Sequence, residues 1–231
     1  LSAGAKIYEN SPATSYKVLD DHVRVNTKNG LIKADRIVLA CNGYLENLEK
    51  SLTSKILPMN NYIVATKPLD DEMVQKINPK DIAFADSRFV INYFRMSADK
   101  RLLFGGGENY SQELSKNIVP IVTKPLEKIY PFLKGVKIDY AWGGKLAITM
   151  NRLPFFTTIK KERVISAQGY SGQGVALASY SGKIVSEKIL GNGEVFDIMA
   201  KIPRQSFPGG RFLRNPSMKI GMLYYSLLDR I

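Results

Sequence analysis

The chain carries a single cysteine, Cys41, and a single histidine, His22, in 231 residues. One thiol excludes an internal disulfide and a cysteine-based zinc site, and it fits a reducing compartment such as the cytoplasm. One imidazole, placed on a polar hairpin, leaves no credible histidine base. No apolar run approaches the roughly 20 residues that a membrane-spanning helix needs. The start, Leu1-Ser2-Ala3-Gly4, has neither a charged nor an apolar leader region. An initiating methionine is lacking too, and Ala5-Lys6-Ile7-Tyr8-Glu9 alternates at once. That alternation predicts a strand in mid-sheet, the beginning expected of a piece cut from a longer chain.

What is present suits a folded protein. Hydrophobic residues make up 45% of the chain, enough for one large or two small domains. The 33 basic and 21 acidic residues leave a net charge of +12, which raises nucleic acid or another anion as a partner. Most lysines are scattered singly, and no nucleic-acid recognition motif accompanies them, so nucleic acid is not the expected partner. The exception is the tail, where Lys201, Arg204, Arg211, Arg214 and Lys219 precede the next acid, Asp229. A docked tail and an anion-binding arm both fit that run.

Three sections follow from the patterning. In the first, His22 to Thr27 alternates and Asn29-Gly30 supplies positive φ, predicting a β-hairpin. Asp35 to Ala40 then reads as a strand buried on both faces, ending in Cys41-Asn42-Gly43. In the second, strands are expected at Tyr62–Thr66, Arg88–Met96, Arg101–Gly105, Val136–Trp142 and Leu146–Met150, with a helix over Ile121–Phe132. In the third, a strand over Arg163–Gln168 leads through Gly169-Tyr170-Ser171-Gly172-Gln173-Gly174 into a helix over Val175–Leu190. Val175, Ala178, Gly182, Val185 and Ile189 form its apolar stripe. The fold class expected is α/β with an added antiparallel substrate sheet. Its domains would be 1–57 with 151–193, then 58–150, with a tail over 194–231.

A strand that delivers glycines to a helix N-terminus leaves backbone amides beside a positive dipole end, a setting for an anion or polar acceptor. The spacing is GxxGxG, not the dinucleotide GxGxxG, and no Gly-Lys-Ser/Thr closes a phosphate loop. From this segment alone, a ligand site and a tight helix–sheet turn remain equally open.

The order of GYSGQGVALA at 169–178, ACNGY at 40–44 and FVINYFRMSADKRLLFGGG at 89–107 changes the balance. Together with Ala141-Trp142-Gly143-Gly144 and Phe207-Pro208-Gly209-Gly210, this order resembles the D-amino-acid-oxidase-like flavoproteins, and within them the gamma-glutamylputrescine oxidoreductases. The resemblance implies an FAD/NAD(P)-binding-like domain whose N-terminal βαβ unit, with its GxGxxG, is missing here. It implies a flavin contact by Gly172, Gln173, Gly174 and Val175, with Ala40, Cys41 and Asn42 on the cofactor's other flank. FAD would be non-covalent, since no cysteine occupies 149–154, and Cys41 is read as a small buried filler. Tyr93, Arg95 and Trp142 would bind substrate, Phe89, Ile91, Tyr93 and Arg95 sharing one strand face. Alternatively Tyr93 packs and Arg95 pairs with Asp99 or Asp86, Trp142 is a core aromatic, and Tyr140 belongs to the core. Lys145 stands where related amino-acid oxidases would place a carboxylate-binding arginine, which favours an amine substrate, with Arg152 or Arg95 as anion partners. The alternatives are a cofactor-free binding module of the same fold and anion binding through the tail.

Overall fold

A computed structural model of the chain describes residues 2–88, 91–106, 113–210, 213, 216, 217 and 219–221. In chain order the strands are β1 (Ala13–Val18), β2 (Val23–Thr27), β3 (Leu31–Ala34), β4 (Ile37–Leu39), β5 (Leu57–Thr66) and β6 (Phe84–Ala85). They continue with β7 (Tyr93–Met96), β8 (Leu102–Gly105), β9 (Ile138–Ile148), β10 (Phe155–Ile159) and β11 (Val164–Gln168). The helices are α1 (Lys50–Thr53), α2 (Asp71–Ile77), α3 (Val119–Ile129), α4 (Gly174–Ile189) and α5 (Glu194–Ala200). The chain divides into unit 1, Leu1–Ile56 with Ala147–Phe207, and unit 2, Leu57–Leu146 with Pro208–Ile231.

Unit 1 holds the antiparallel meander β1-β2-β3 and a second sheet in the order β10-β11-β4. In that second sheet β11 runs antiparallel to β10 and parallel to β4. Every residue of β11 is buried, as a near-continuous apolar run requires when both faces of a strand are covered. On one face Ile165 and Ala167 pack with Phe156, Ile184, Val185 and Phe196; on the other Val164 joins Leu39, Leu45, Leu52, Ile56 and Phe155.

Unit 2 is built on a sheet ordered β6-β7-β8-β5-β9. Tyr62, Val64, Leu102 and Phe104 close its core against Val122 and Leu126 of α3, and Phe94 stacks on Phe104 at 5.5 Å between ring centroids. Pro125 lies inside α3. The helix keeps its amphipathic face, so burial of Val122 and Leu126 outweighs the hydrogen bond that proline cannot donate.

Several expectations need correction. Residues 5–9 form no strand, and Ile7 and Tyr8 are exposed; the first strand is β1, in a stretch with weaker alternation. The β2–β3 turn does not use positive φ at Asn29 or Gly30. Asn26 pairs with Leu31, and the connection between β2 and β3, residues 28–30, is closed by Thr27 N–H on the Gly30 carbonyl at 2.9 Å. β4 is buried at Leu39, which packs with Leu45, Leu52 and Phe155, but exposed at Val38, which points to the other face and joins no core cluster among the described residues. The strands expected on either side of Gly143-Gly144 are one strand, β9. A Cβ at Gly143 would lie 2.6 Å from the Tyr62 ring, so glycine there admits the neighbouring aromatic without ending the strand. In α4 the buried residues are Ser181, Ile184 and Val185, whereas Val175 is 98% exposed, which rotates the packed face away from the expected stripe. α5 lies in the stretch expected to form the tail, 194–231, and buried Phe196 anchors it. Phe89, Gly107, Arg211 and Arg214, and within 218–231 all residues but Lys219, Ile220 and Gly221, lie outside the described residues.

A polar cluster pins three elements of unit 1. Glu49, at the start of α1, accepts hydrogen bonds from the Tyr16 hydroxyl, from Lys160 Nζ at 2.8 Å, and from the Ser51 N–H and hydroxyl at 3.1 and 2.7 Å. Burial alone would raise its carboxyl, but the bonds from Lys160, Ser51 and Tyr16 prevail and hold it at about 2, below the ordinary 4.5. Burial and the Glu49 bond push the Tyr16 phenol up to about 12. A carboxyl depressed in the folded state stabilises fully above its unfolded value, and that contribution is lost as pH falls from about 4.5 towards 2. Glu49→Gln is therefore expected to lower stability by about 2 kcal/mol near neutrality and to lose that deficit in acid. Thermal melts of both proteins across this pH range measure it; parallel curves would refute the role of the charge.

Candidate functional site

β11 carries the chain outward as far as Gln168, and the turn that follows is tied down from two sides. Gly169 N–H donates to Asn42 Oδ1 at 3.1 Å, and Ser171 N–H donates to the Ala147 carbonyl at 2.9 Å. Ser171 Oγ also accepts from Thr149 N–H at 3.3 Å, and the Tyr170 hydroxyl reaches back to the Ala167 carbonyl at 3.1 Å. Asn42 adopts a left-handed conformation with φ of 48° at the start of a short 3-10 turn. Through this side chain, segment 40–42 meets the turn at 169–175. Ala40 is exposed, and Cys41 is half-buried, where burial pushes its thiol up and keeps it protonated.

Beyond Ser171 the turn opens. Gly172 has φ of 96°, and a Cβ there would meet nothing within 4 Å. Gln173 occupies the N-cap position of α4 without a side-chain cap, and Val175 in the first turn is almost fully exposed. The first amides of a helix have no intrahelical acceptor, so this end of a 16-residue helix presents donors to open space. Such a cradle fits a polar or anionic ligand edge. It also fits part of an FAD, the remaining part being the pyrophosphate, for which residues 1–231 contain no GxGxxG.

Beside the turn lies a residue that the patterning did not single out. Gln168 is fully buried, and neither atom of its amide has a partner among the described residues. The available signal was a long polar side chain ending an apolar strand. An orphaned buried donor or acceptor costs about 1–3 kcal/mol. Gln168→Met is expected to raise the stability of the 231-residue chain by about that amount, read from its urea midpoint. An unchanged or lower midpoint would reveal an ordered partner such as internal water.

The residues read as substrate-binding lie in unit 2. On β7, Phe94 and Met96 belong to or pack on the core while Tyr93 and Arg95 point to the other face. The Tyr93 ring crosses Gly105, where a Cβ would come within 2.2 Å of it, and its hydroxyl donates to Asn61 Oδ1. Arg95 is exposed and donates Nε–H to the Met96 carbonyl at 3.2 Å. The alternative ion pairs do not form: Asp99 binds Arg101 at 2.6 Å, and Asp86 accepts the Asn92 N–H at 3.0 Å. Trp142 is 44% exposed and Tyr140 59%, so neither is the core aromatic considered for it. Arg152 is exposed with φ of 62°. Tyr93 and Arg95 are thus brought together on one strand face, in a different unit from the residues at 40–42 and 172–175.

Among the described residues no group of acidic, histidine and cysteine side chains could hold a metal, and no helix is long and apolar enough to cross a membrane. His22 Nδ1 is paired with Asp21 at 2.5 Å on the hairpin. Arg204 of the tail packs over Phe155 at 5.4 Å and donates to Thr157 Oγ1 at 3.0 Å.

A model of the FAD dependent oxidoreductase family matches residues 1–188. A probable oxidoreductase OrdL from Rhizobium meliloti is 39% identical over 228 residues, covering 99% of this chain and 53% of that protein. Gamma-glutamylputrescine oxidoreductase from Escherichia coli is 35% identical over 229 residues, again 99% of this chain and 53% of that protein. The chain therefore spans about half the length of these relatives. Among solved structures, glycine oxidase from Geobacillus kaustophilus superposes with a TM-score of 0.69 at 19% identity, over 88% of this chain and 55% of that one. L-Proline dehydrogenase from P. horikoshii gives 0.62 at 24% identity, over 81% and 51%. At these identities the two structures show a common fold.

Proposed function

The chain belongs to the FAD-dependent oxidoreductase family, and we propose that it is part of an enzyme that oxidises an amine, with gamma-glutamylputrescine-like compounds as the substrate class and an amino acid as the alternative. The observation that carries this reading is the open turn from Gly172 to Val175 at the start of α4, tied through Gly169 to Asn42. In the proposal, Gly172, Gly174 and Val175 offer backbone N–H groups to the electron-rich edge of bound FAD; Gln173, whose own N–H is taken by the Tyr170 carbonyl at 2.9 Å, stands beside them, and Ala40, Cys41 and Asn42 lie along the same edge. FAD, when bound, supplies the acceptor for a hydride leaving the carbon that bears the neutral amine. The chain's own part is to bind and orient, which dominates chemistry of this type. Its pyrophosphate-gripping GxGxxG is proposed to come from polypeptide outside residues 1–231.

Arg95 and Tyr93 are proposed to hold the anionic and polar ends of the substrate, and Trp142 its alkyl part. With Lys145 following Gly143-Gly144, an α-carboxylate lacks an arginine clamp there, which favours an amine over a simple amino acid.

The test compares this chain with a protein extended to the length of its relatives. The extended protein is expected to be yellow, and its flavin to bleach anaerobically on addition of gamma-glutamylputrescine; the 231-residue chain should bind FAD weakly. An extended protein that stays colourless in excess FAD would favour the cofactor-free module. In the active protein Arg95→Ala should raise KM about tenfold for an amine with an anionic end and little for an uncharged one. Equal effects on both would make Arg95 structural.

A further inference from the structure

The opposite end of the β10–β11 hairpin from the glycine turn carries a feature that amine oxidation does not use. Lys160, Lys161 and Glu162, which connect the two strands, are all left-handed, with φ of 53°, 56° and 61°. Three non-glycine residues in succession rarely adopt this conformation, and it persists only where the surroundings impose it. Here they do: Lys160 is held by Glu49 and Tyr16, and Glu162 lies 3.8 Å from Lys188. Arg163 donates from Nη1 to the Asp35 carbonyl at 3.0 Å and from Nη2 to the Asp20 carbonyl at 2.6 Å.

This turn borders a cleft of about 430 Å³ within unit 1, lined by Tyr16, Lys17, Asp20, Lys160, Lys161 and Arg163 with Val18 and Leu19. Its charges are unbalanced. Lys160 is matched by Glu49, and Glu162 turns to Lys188, outside the lining. Lys17 and Lys161 are exposed and form no ion pair among the described residues, and Arg163 binds only backbone carbonyls, which leave its charge uncompensated. Three unmatched cations therefore face one carboxylate, Asp20. β11 is five residues long, which separates this cleft from the Gly169 turn by about 15 Å.

We propose that this cleft is a second ligand site, for a small phosphate-bearing molecule with two or more negative charges. A fixed guanidinium whose terminal nitrogens each keep a second N–H suits phosphate oxygens, and two mobile lysines beside it suit a second phosphoryl group. The volume lies within the range of small-molecule pockets, about 300–1,000 Å³, and exceeds what a lone monophosphate needs.

The 231-residue chain is titrated calorimetrically at low salt with inorganic pyrophosphate, ADP and adenosine. Saturable one-to-one binding is expected for pyrophosphate and ADP and none for adenosine. Tighter binding of ADP assigns a nucleotide, and tighter binding of pyrophosphate assigns the inorganic anion. Lys17→Ala/Lys161→Ala should weaken binding about tenfold or more, whereas Lys124→Ala/Lys128→Ala, which removes the same charge from α3, should leave it unchanged. Gly172→Val should also leave it unchanged, which separates this site from the proposed flavin turn. Absence of saturable binding, equal loss in both lysine pairs, or loss with Gly172→Val overturns the proposal.

Discussion

Gly172→Val is expected to abolish flavin binding by the protein extended to the length of its relatives, while the fold survives. A Cβ at this position meets nothing within 4 Å, so the side chain clashes with no protein atom. The left-handed backbone, with φ of 96°, makes any L residue costly, by about 1–2 kcal/mol. A domain of ordinary stability tolerates that loss. The isopropyl group would, however, fill the space in front of the α4 amides, where the proposal seats the cofactor edge. The measurement is visible flavin absorbance per protein after purification in excess FAD, beside a thermal melt. Full flavin content in a folded variant would remove the turn from the cofactor site.

The same substitution three residues earlier should act by a different route. Gly169 is buried with φ of 78°, and a Cβ there would lie 2.6 Å from Thr149 Cγ2 and 3.5 Å from Phe155 Cβ. Valine would add left-handed strain to a collision with packed neighbours and would displace the N–H from Asn42 Oδ1. Together these should cost about 3 kcal/mol or more. Gly169→Val is expected to lower the urea midpoint of the 231-residue chain with or without FAD. A midpoint equal to that of the parent chain would show that the loop relaxes freely. The pair separates a glycine required for packing from one required for access, a difference invisible in the spacing GxxGxG.

The resemblance that identified the family rested on the order of segments, and the family match over residues 1–188 agrees with it. Local chemistry was legible where neighbours in sequence are also neighbours in space. Ser97 to Lys100 reads as a hairpin connection, and Ser97 N–H does close it on the Arg101 carbonyl at 2.9 Å. The strand before the glycine turn and the helix after it lie within a residue of where the patterning put them. The helix face was not legible. Val175, Ala178 and Gly182 have the spacing of a packed stripe, but apolar periodicity does not say which of two small-residue faces meets the sheet. Of the expected stripe only Val185 is buried, and Ser181 and Ile184 complete the packed face with it, because Phe156, Ile165 and Ala167 stand on that side.

For the candidate site, the sequence by itself determined which residue types stand at the turn and at the end of β4, since glycine, asparagine and a helix start are local properties. It also determined the alternation that puts Tyr93 and Arg95 on one strand face. Only the tertiary structure decided that Asn42 clamps Gly169 across 127 positions of chain, that Gly105 lies beneath the Tyr93 ring, and that Gln168 is buried without a partner. The physical reason is the range of the interactions. Turn and strand propensities act over a few residues, whereas a hydrogen bond or a close contact between distant segments depends on a register that the whole packed core sets.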